Sequence, residues 1–186
     1  MKIIKLLVVA TLLFTLSTNA QITKGNWMVG GSGNFSSYEN KYLNNNIEFS
    51  NKGIGINLSP RIGYFFANKF VAGAITSIGY GKQKGYESNF GYAIGPFLRY
   101  YFLENDKLIN FLAEVNYNFG VIKSGENKSQ SNGYGFKTGP VIFLNSSVAL
   151  EVTIDYNSSK FVSNNSSSSS YNGFQISLGF QIHLEK

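Results

Sequence analysis

Residues 54–66 read IGINLSPRIGYFF. Ile54, Ile56, Leu58, Pro60, Ile62, Tyr64 and Phe66 fall on one side of an alternating register, and Gly55, Asn57, Ser59, Arg61 and Gly63 on the other. Successive strand side chains point to opposite faces, so this is a strand with one apolar and one polar face.

The same alternation recurs outward in both directions. Phe90, Tyr92, Ile94, Pro96, Leu98, Tyr100 and Phe102 form a second apolar row. Ile109, Phe111, Ala113, Val115, Tyr117, Phe119 and Val121 form a third, and Phe174, Ile176, Leu178, Phe180, Ile182 and Leu184 a fourth. Softer rows start at Trp27, Phe70, Tyr134 and Val148, and no sustained helical period is present. The pattern predicts eight antiparallel strands. Short links are expected at Ala67–Lys69, Glu104–Lys107 and Asn145–Ser147, and long ones at about 39–51, 82–89, 123–132 and 158–172. Short turns on one side and long loops on the other describe an up-and-down barrel in an outer membrane. The low-complexity run Ser166–Ser170 is expected to be mobile.

Composition supports a membrane setting. Hydrophobic residues make up 43% of the 186 and charged residues only 14%, against about 25% charged in soluble domains. The polar rows are Gly, Ser, Asn and Gln, too poor in charge for a water-facing surface. The apolar rows are too bulky to fill an eight-stranded interior, so they are expected to face lipid. Aromatics gather at the strand ends in two girdles. Trp27, Phe66, Phe70 and Phe102 lie near the short turns, and Phe35, Tyr80, Tyr92, Phe119, Tyr134, Tyr156 and Phe174 near the long loops. Pro60 and Pro96 each remove a ladder donor within a strand, which predicts local bulges.

Residues 1–20, MKIIKLLVVATLLFTLSTNA, carry Lys2 and Lys5, an apolar run and a small polar end. This is the three-part pattern of a secretory signal peptide, with cleavage expected after Ala20 and the barrel domain over 21–186. Without Lys2 and Lys5 the basic residues exceed the acidic ones by only four, too few and too scattered to argue for nucleic acid. With no Cys and a single His, thiolate and multi-His metal centres are excluded, and no cofactor fingerprint is present.

Six charges fall on the polar face: Arg61, Arg99, Glu114, Lys137, Glu151 and Asp155. The set is neutral. Ionised groups in a narrow bore need partners, so an internal salt-bridge cluster plugging the lumen is expected, with a selectivity constriction or a catalytic carboxylate pair as the functional alternative. Assuming a tight Asn145-Ser146-Ser147 turn, Leu144 opposes Val148, and Lys137 then falls opposite Asp155. His183 sits on the lumen face at the periplasmic end, and no Ser follows it at a spacing that shares its strand face, since position 185 is Glu. Triad and acid–base chemistry therefore lack their usual players, and no enzyme is expected.

The segments GNWMVGGSGNFS, LSPRIGYFFANKFVAG and FGYAIGPFLRYYF resemble the small outer-membrane β-barrel family of Gram-negative bacteria, the eight-stranded OmpA/OmpX-like barrels. The resemblance covers about residues 21–186 and implies fold and location rather than activity. The ending Leu184-Glu185-Lys186 departs from the terminal aromatic of many such barrels. The expected role is a non-enzymatic, monomeric barrel that stabilises the envelope or meets an extracellular ligand through its long loops. Lys41, Lys52, Lys82, Lys84, Lys123, Lys128 and Lys160 outnumber Glu39, Glu48, Glu87 and Glu126 there, a rim that is either a solvated surface without a role or a site for lipopolysaccharide phosphates. A small conduit for apolar solutes is the alternative, with a lipid-modifying enzyme a further one.

Overall fold

The computed structural model describes residues 22–44, 47–104, 106–163 and 168–185. The expected signal peptide, residues 1–20, lies outside the described residues. Eight strands follow in chain order: β1 Trp27–Asn44, β2 Ile47–Ala67, β3 Phe70–Gln83, β4 Asn89–Tyr101, β5 Ile109–Ser124, β6 Asn127–Phe143, β7 Val148–Ser163 and β8 Ser168–Leu184. Every neighbouring pair is antiparallel, and β1 closes on β8 from Trp27 opposite Leu184 to Gly33 opposite Leu178. The fold is a closed, eight-stranded, up-and-down all-β barrel. Closure pairs the edges that an open sheet would leave free.

The exposures of adjacent residues settle which face is outside. On β8, Leu178 is 65% exposed and Ser177 3%; on β7, Ile154 is 57% exposed and Asp155 5%. The apolar rows clothe the exterior and the polar rows line the bore. Ring pairs mark the lower girdle, with Phe66, Phe70, Tyr100 and Phe102 in one train of contacts. The upper girdle has Tyr134, Tyr156 and Phe174 in another.

Three of the four expected long links are largely strand, the exception being 82–89, where residues 84–88 form the β3–β4 link. The β5–β6 ladder runs to Ser124 opposite Asn127 and turns over Gly125, whose positive φ suits glycine. The β7–β8 ladder continues to Val162 opposite Ser168, so Ser168–Ser170 belong to β8 rather than to a mobile loop. Residues 164–167 lie outside the described residues. Backbone pairing needs no apolar side chain, so a hairpin already aligned lower down extends through Ser- and Asn-rich sequence.

The prolines make no bulges either. At Pro60 the β2–β3 bridges skip from Leu58–Ile78 to Arg61–Ile75 and resume in the same register, and at Pro96 the β4–β5 bridges skip from Ile94–Phe119 to Phe97–Asn116 likewise. Each proline stays paired with the preceding strand, Pro60 opposite Gly31 and Pro96 opposite Ala74. The lost donor therefore falls on one side only, and the Thr76 hydroxyl donates to the Pro60 carbonyl there. The register shift in the β2–β3 ladder comes instead between Phe65 and Ala67, just before the turn at Lys69, a non-glycine residue with φ of 68°.

Candidate functional site

The bore is layered along its axis. At the short-turn end, inward Met28, Phe65, Val71, Tyr101, Leu112, Val141, Phe143 and Ala149 form an apolar floor. Ile22, from the segment preceding β1, is buried with them. That segment is tied on by backbone bonds from Gly25 N–H to Phe65 O and from Lys69 N–H to Ile22 O. His183 lies in this floor, its ring against Phe65, Tyr101 and Phe143 and its Nε2 3.0 Å from Gln181 Oε1. The imidazole is buried, with aromatic rings and an amide against it.

Above the floor lie the six charges read from the sequence, all buried. Four are consecutive cross-strand partners. Arg99 on β4 opposes Glu114 on β5, Glu114 opposes Lys137 on β6, and Lys137 opposes Asp155 on β7. Signs alternate around this half of the wall, the arrangement that cross-strand pairs favour. Arg61 on β2 and Glu151 on β7 close the ring across the bore. Glu114 Oε2 accepts from Arg61 Nη1 at 2.7 Å and from Arg99 Nε at 2.8 Å. Glu151 Oε2 accepts from Arg99 Nη1 at 2.9 Å and from Gln181 Nε2 at 2.7 Å. Lys137 Nζ stands more loosely, 3.6 Å from both Glu151 Oε1 and Asp155 Oδ2. Asp155 Oδ2 also accepts from the Ser177 hydroxyl at 2.6 Å, and Ser32 Oγ accepts from both Arg61 and Lys137.

The sequence-derived set is thus brought together without an omission. Sequence reasoning missed its supporting groups: Tyr101, whose hydroxyl donates to Gln181, and Ser32, Ser177 and Gln181. A signal was present in the large aromatics Phe65, Tyr101 and Phe143. They stand on the otherwise polar register near the short turns, where only a floor to the bore has use for them.

Outside the charges the bore widens into a polar cup of about 320 Å³. Its walls are mostly amide and hydroxyl groups, among them Asn34, Asn57, Asn116, Asn118, Gln175 and Ser177, and Lys137 and Asp155 form its base. Among the described residues, no group of three or more His, Cys, Asp or Glu is placed to hold a metal.

A closed eight-stranded barrel with an apolar exterior, a charged bore and extended hairpins at one end defines the small outer-membrane type of barrel. No protein-family model matches the chain, and a search of curated proteins gives no match. Solved structures match in fold. The outer membrane protein OprG from Pseudomonas aeruginosa superimposes with a TM-score of 0.59 at 13% identity, over 91% of this chain and 100% of that one. Neisserial surface protein A gives a TM-score of 0.60 at 16% identity, over 86% of this chain and 97% of that one. At these identities the likeness is one of fold.

Proposed function

We propose that the protein is a non-enzymatic outer-membrane barrel with a closed lumen. Its work lies at its two surfaces: lipid contact along the wall, and contact with the cell exterior through the outer hairpins. The observation that carries this reading is the six-charge cluster across the bore, seated on an apolar floor with Ile22 beneath it. An eight-stranded interior is just wide enough for side chains to fill, and here they fill it with mutually compensating charges.

The hairpins supply the second half of the reading. Lys82, Lys84, Lys123, Lys128 and Lys160 stand on the outer segments of β3, β5, β6 and β7 and the β3–β4 link, with Glu87 and Glu126 as nearby acids. Lys52 stands 3.6 Å from Glu39 across β1 and β2. A rim with more ammonium groups than carboxylates attracts the phosphates of lipopolysaccharide. Tying neighbouring lipids together is an envelope-stabilising role that needs neither pore nor catalysis.

The test is a deletion strain challenged with detergent. It should be more sensitive than its parent and be restored by the full chain. A variant with Lys82, Lys84, Lys123 and Lys128 replaced by Ser should fail to restore it although inserted normally. Unchanged sensitivity on deletion would count against the envelope role.

A further inference from the structure

The wall of the barrel is not equally closed all round. The β1–β2 ladder climbs to Asn44 opposite Ile47 and the β7–β8 ladder to Val162 opposite Ser168, whereas the β1–β8 ladder stops at Gly33 opposite Leu178. Above that point β1 and β8 diverge, and a side-chain bond from Asn34 Nδ2 to Gln175 Oε1, 3.1 Å long, replaces the ladder. The notch begins below the upper girdle, since Phe35 and Phe174 lie above its base. It therefore cuts into the apolar belt. Both of its flanks, Gly33-Asn34 and Gln175 with Ser177, also line the polar cup.

The exterior beside the notch is equally distinctive. Among the described residues, the most exposed large apolar side chains are Phe174, Ile176, Phe35 and Leu178, at 65–75%. All four flank this seam. The cause lies on β1, where the outward positions below Phe35 are Gly31 and Gly33. Gly31, between Phe180 of β8 and Pro60 of β2, is buried, while Gly33, between Leu178 and Leu58, is half-buried. The result is a shallow apolar trough at Gly33, beside the exposed Leu178 and below the polar notch.

We propose that this seam binds one outer-leaflet lipid, with a single acyl chain lying in the Gly33 trough and a neutral, hydroxyl-bearing head group entering the cup through the notch. The inference rests on the membrane-embedded barrel of the preceding section. The chemistry of the cup selects the head group. Asn118 Oδ1 and Asp155 Oδ1 are buried acceptors without a hydrogen-bond partner in the protein. They call for donors, which glycerol or sugar hydroxyls supply and a phosphate or carboxylate does not. Arg61 Nε, in the same lining, is a buried donor without a hydrogen-bond partner, and a hydroxyl oxygen can accept from it while its proton goes to one of the two acceptors. The notch itself exposes unpaired strand backbone within the apolar belt, where each unsatisfied group is costly, and a polyhydroxyl head can satisfy it.

Trp27, the only tryptophan, provides the readout. Its outward ring lies on β1 six residues below Gly33, roughly 20 Å along the strand and within reach of a long chain lying in the trough. The full barrel is reconstituted in phosphatidylcholine vesicles. Small mole fractions of three probes brominated at the chain end are added separately: a monoacylglycerol, phosphatidylcholine and a free fatty acid. The monoacylglycerol is expected to half-quench Trp27 at about fivefold lower mole fraction than either other lipid. Gly33→Phe fills the trough; the Cβ it adds comes within 3.2 Å of the flexible Leu58 side chain and makes an ordinary 3.6 Å contact with the Asn57 carbonyl oxygen. It should abolish that preference while keeping heat-modifiable migration on gels, and Leu178→Ala, which removes one wall, should weaken it. Equal quenching by monoacylglycerol and phosphatidylcholine would overturn the site. Equal quenching by monoacylglycerol and fatty acid would overturn the assignment of the head group. Failure of all three to quench Trp27 would instead contradict the membrane-embedded barrel.

Discussion

Arg99 and Glu114 stand directly opposite each other on β4 and β5, and both Nε and Nη2 of the guanidinium lie within 2.8 Å of the same carboxylate oxygen. Arg61 reaches that oxygen from across the bore, at 2.7 Å. Glu114 thus holds two arginines that would otherwise repel each other in a dry interior. Glu114→Gln keeps the shape and removes the charge. It should lower barrel stability by about 3–5 kcal/mol, because breaking a buried pair strands the partner charge. Urea unfolding in lipid vesicles measures this, and a loss under about 1 kcal/mol would show that water already screens the cluster.

Lys137 and Asp155 are joined less tightly, since Lys137 is shared with Glu151 at the same 3.6 Å distance. Asp155→Asn and Lys137→Met should each cost about 1–3 kcal/mol. The double variant should lose clearly less than the sum, as expected of residues in one network. Additive losses would mean the two do not interact.

The two faces of β7 should respond oppositely to charge. Ile154 points outward and its neighbour Asp155 into the bore. Ile154→Arg should destabilise the barrel by about 2–4 kcal/mol in a bilayer, the cost of a cation near the midplane. In a detergent that wraps the belt loosely the cost should shrink. An equal effect in both media would argue that Ile154 does not face hydrocarbon.

Gly95 is needed for the close approach of β4 to β5. A Cβ there would collide with the Tyr117 carbonyl, which is backbone and cannot swing aside. At Gly79 the nearest atom is a movable one, Asn57 Oδ1 at 3.6 Å. Gly95→Ala should therefore sharply reduce the heat-modifiable folded fraction, and Gly79→Ala should leave it close to wild type. Equal folding of the two would remove the steric argument.

Much of this architecture was legible because a strand's period of two reports its faces directly. Ile154 outward and Asp155 inward follow from counting. A tight turn converts that counting into register, which is how Lys137 and Asp155 could be paired: Leu144 N–H does bond to Val148 O. The β1–β8 ladder has no such turn. It joins Gly33 to Leu178, far apart in the chain, and nothing local sets where it stops, so the notch was invisible. Alternation also says little about depth. Phe65, Tyr101 and Phe143 are inward by count, but their meeting under the charges depends on the stagger of the whole barrel. The outer ends of β7 and β8 look like loop in the sequence because serine carries no apolar signal, although its backbone pairs like any other.

The closed lumen is tested most directly by electrical recording from single barrels in planar bilayers. The account predicts no sustained conductance from the wild-type barrel. Replacing Arg61, Arg99, Glu114 and Glu151 together by Ser, with the floor of Phe65, Tyr101 and Phe143 reduced to Ala, should open discrete ion-conducting events in the molecules that still insert. A stable ohmic conductance from the wild-type barrel would contradict the central claim that the charge cluster and its floor shut the bore.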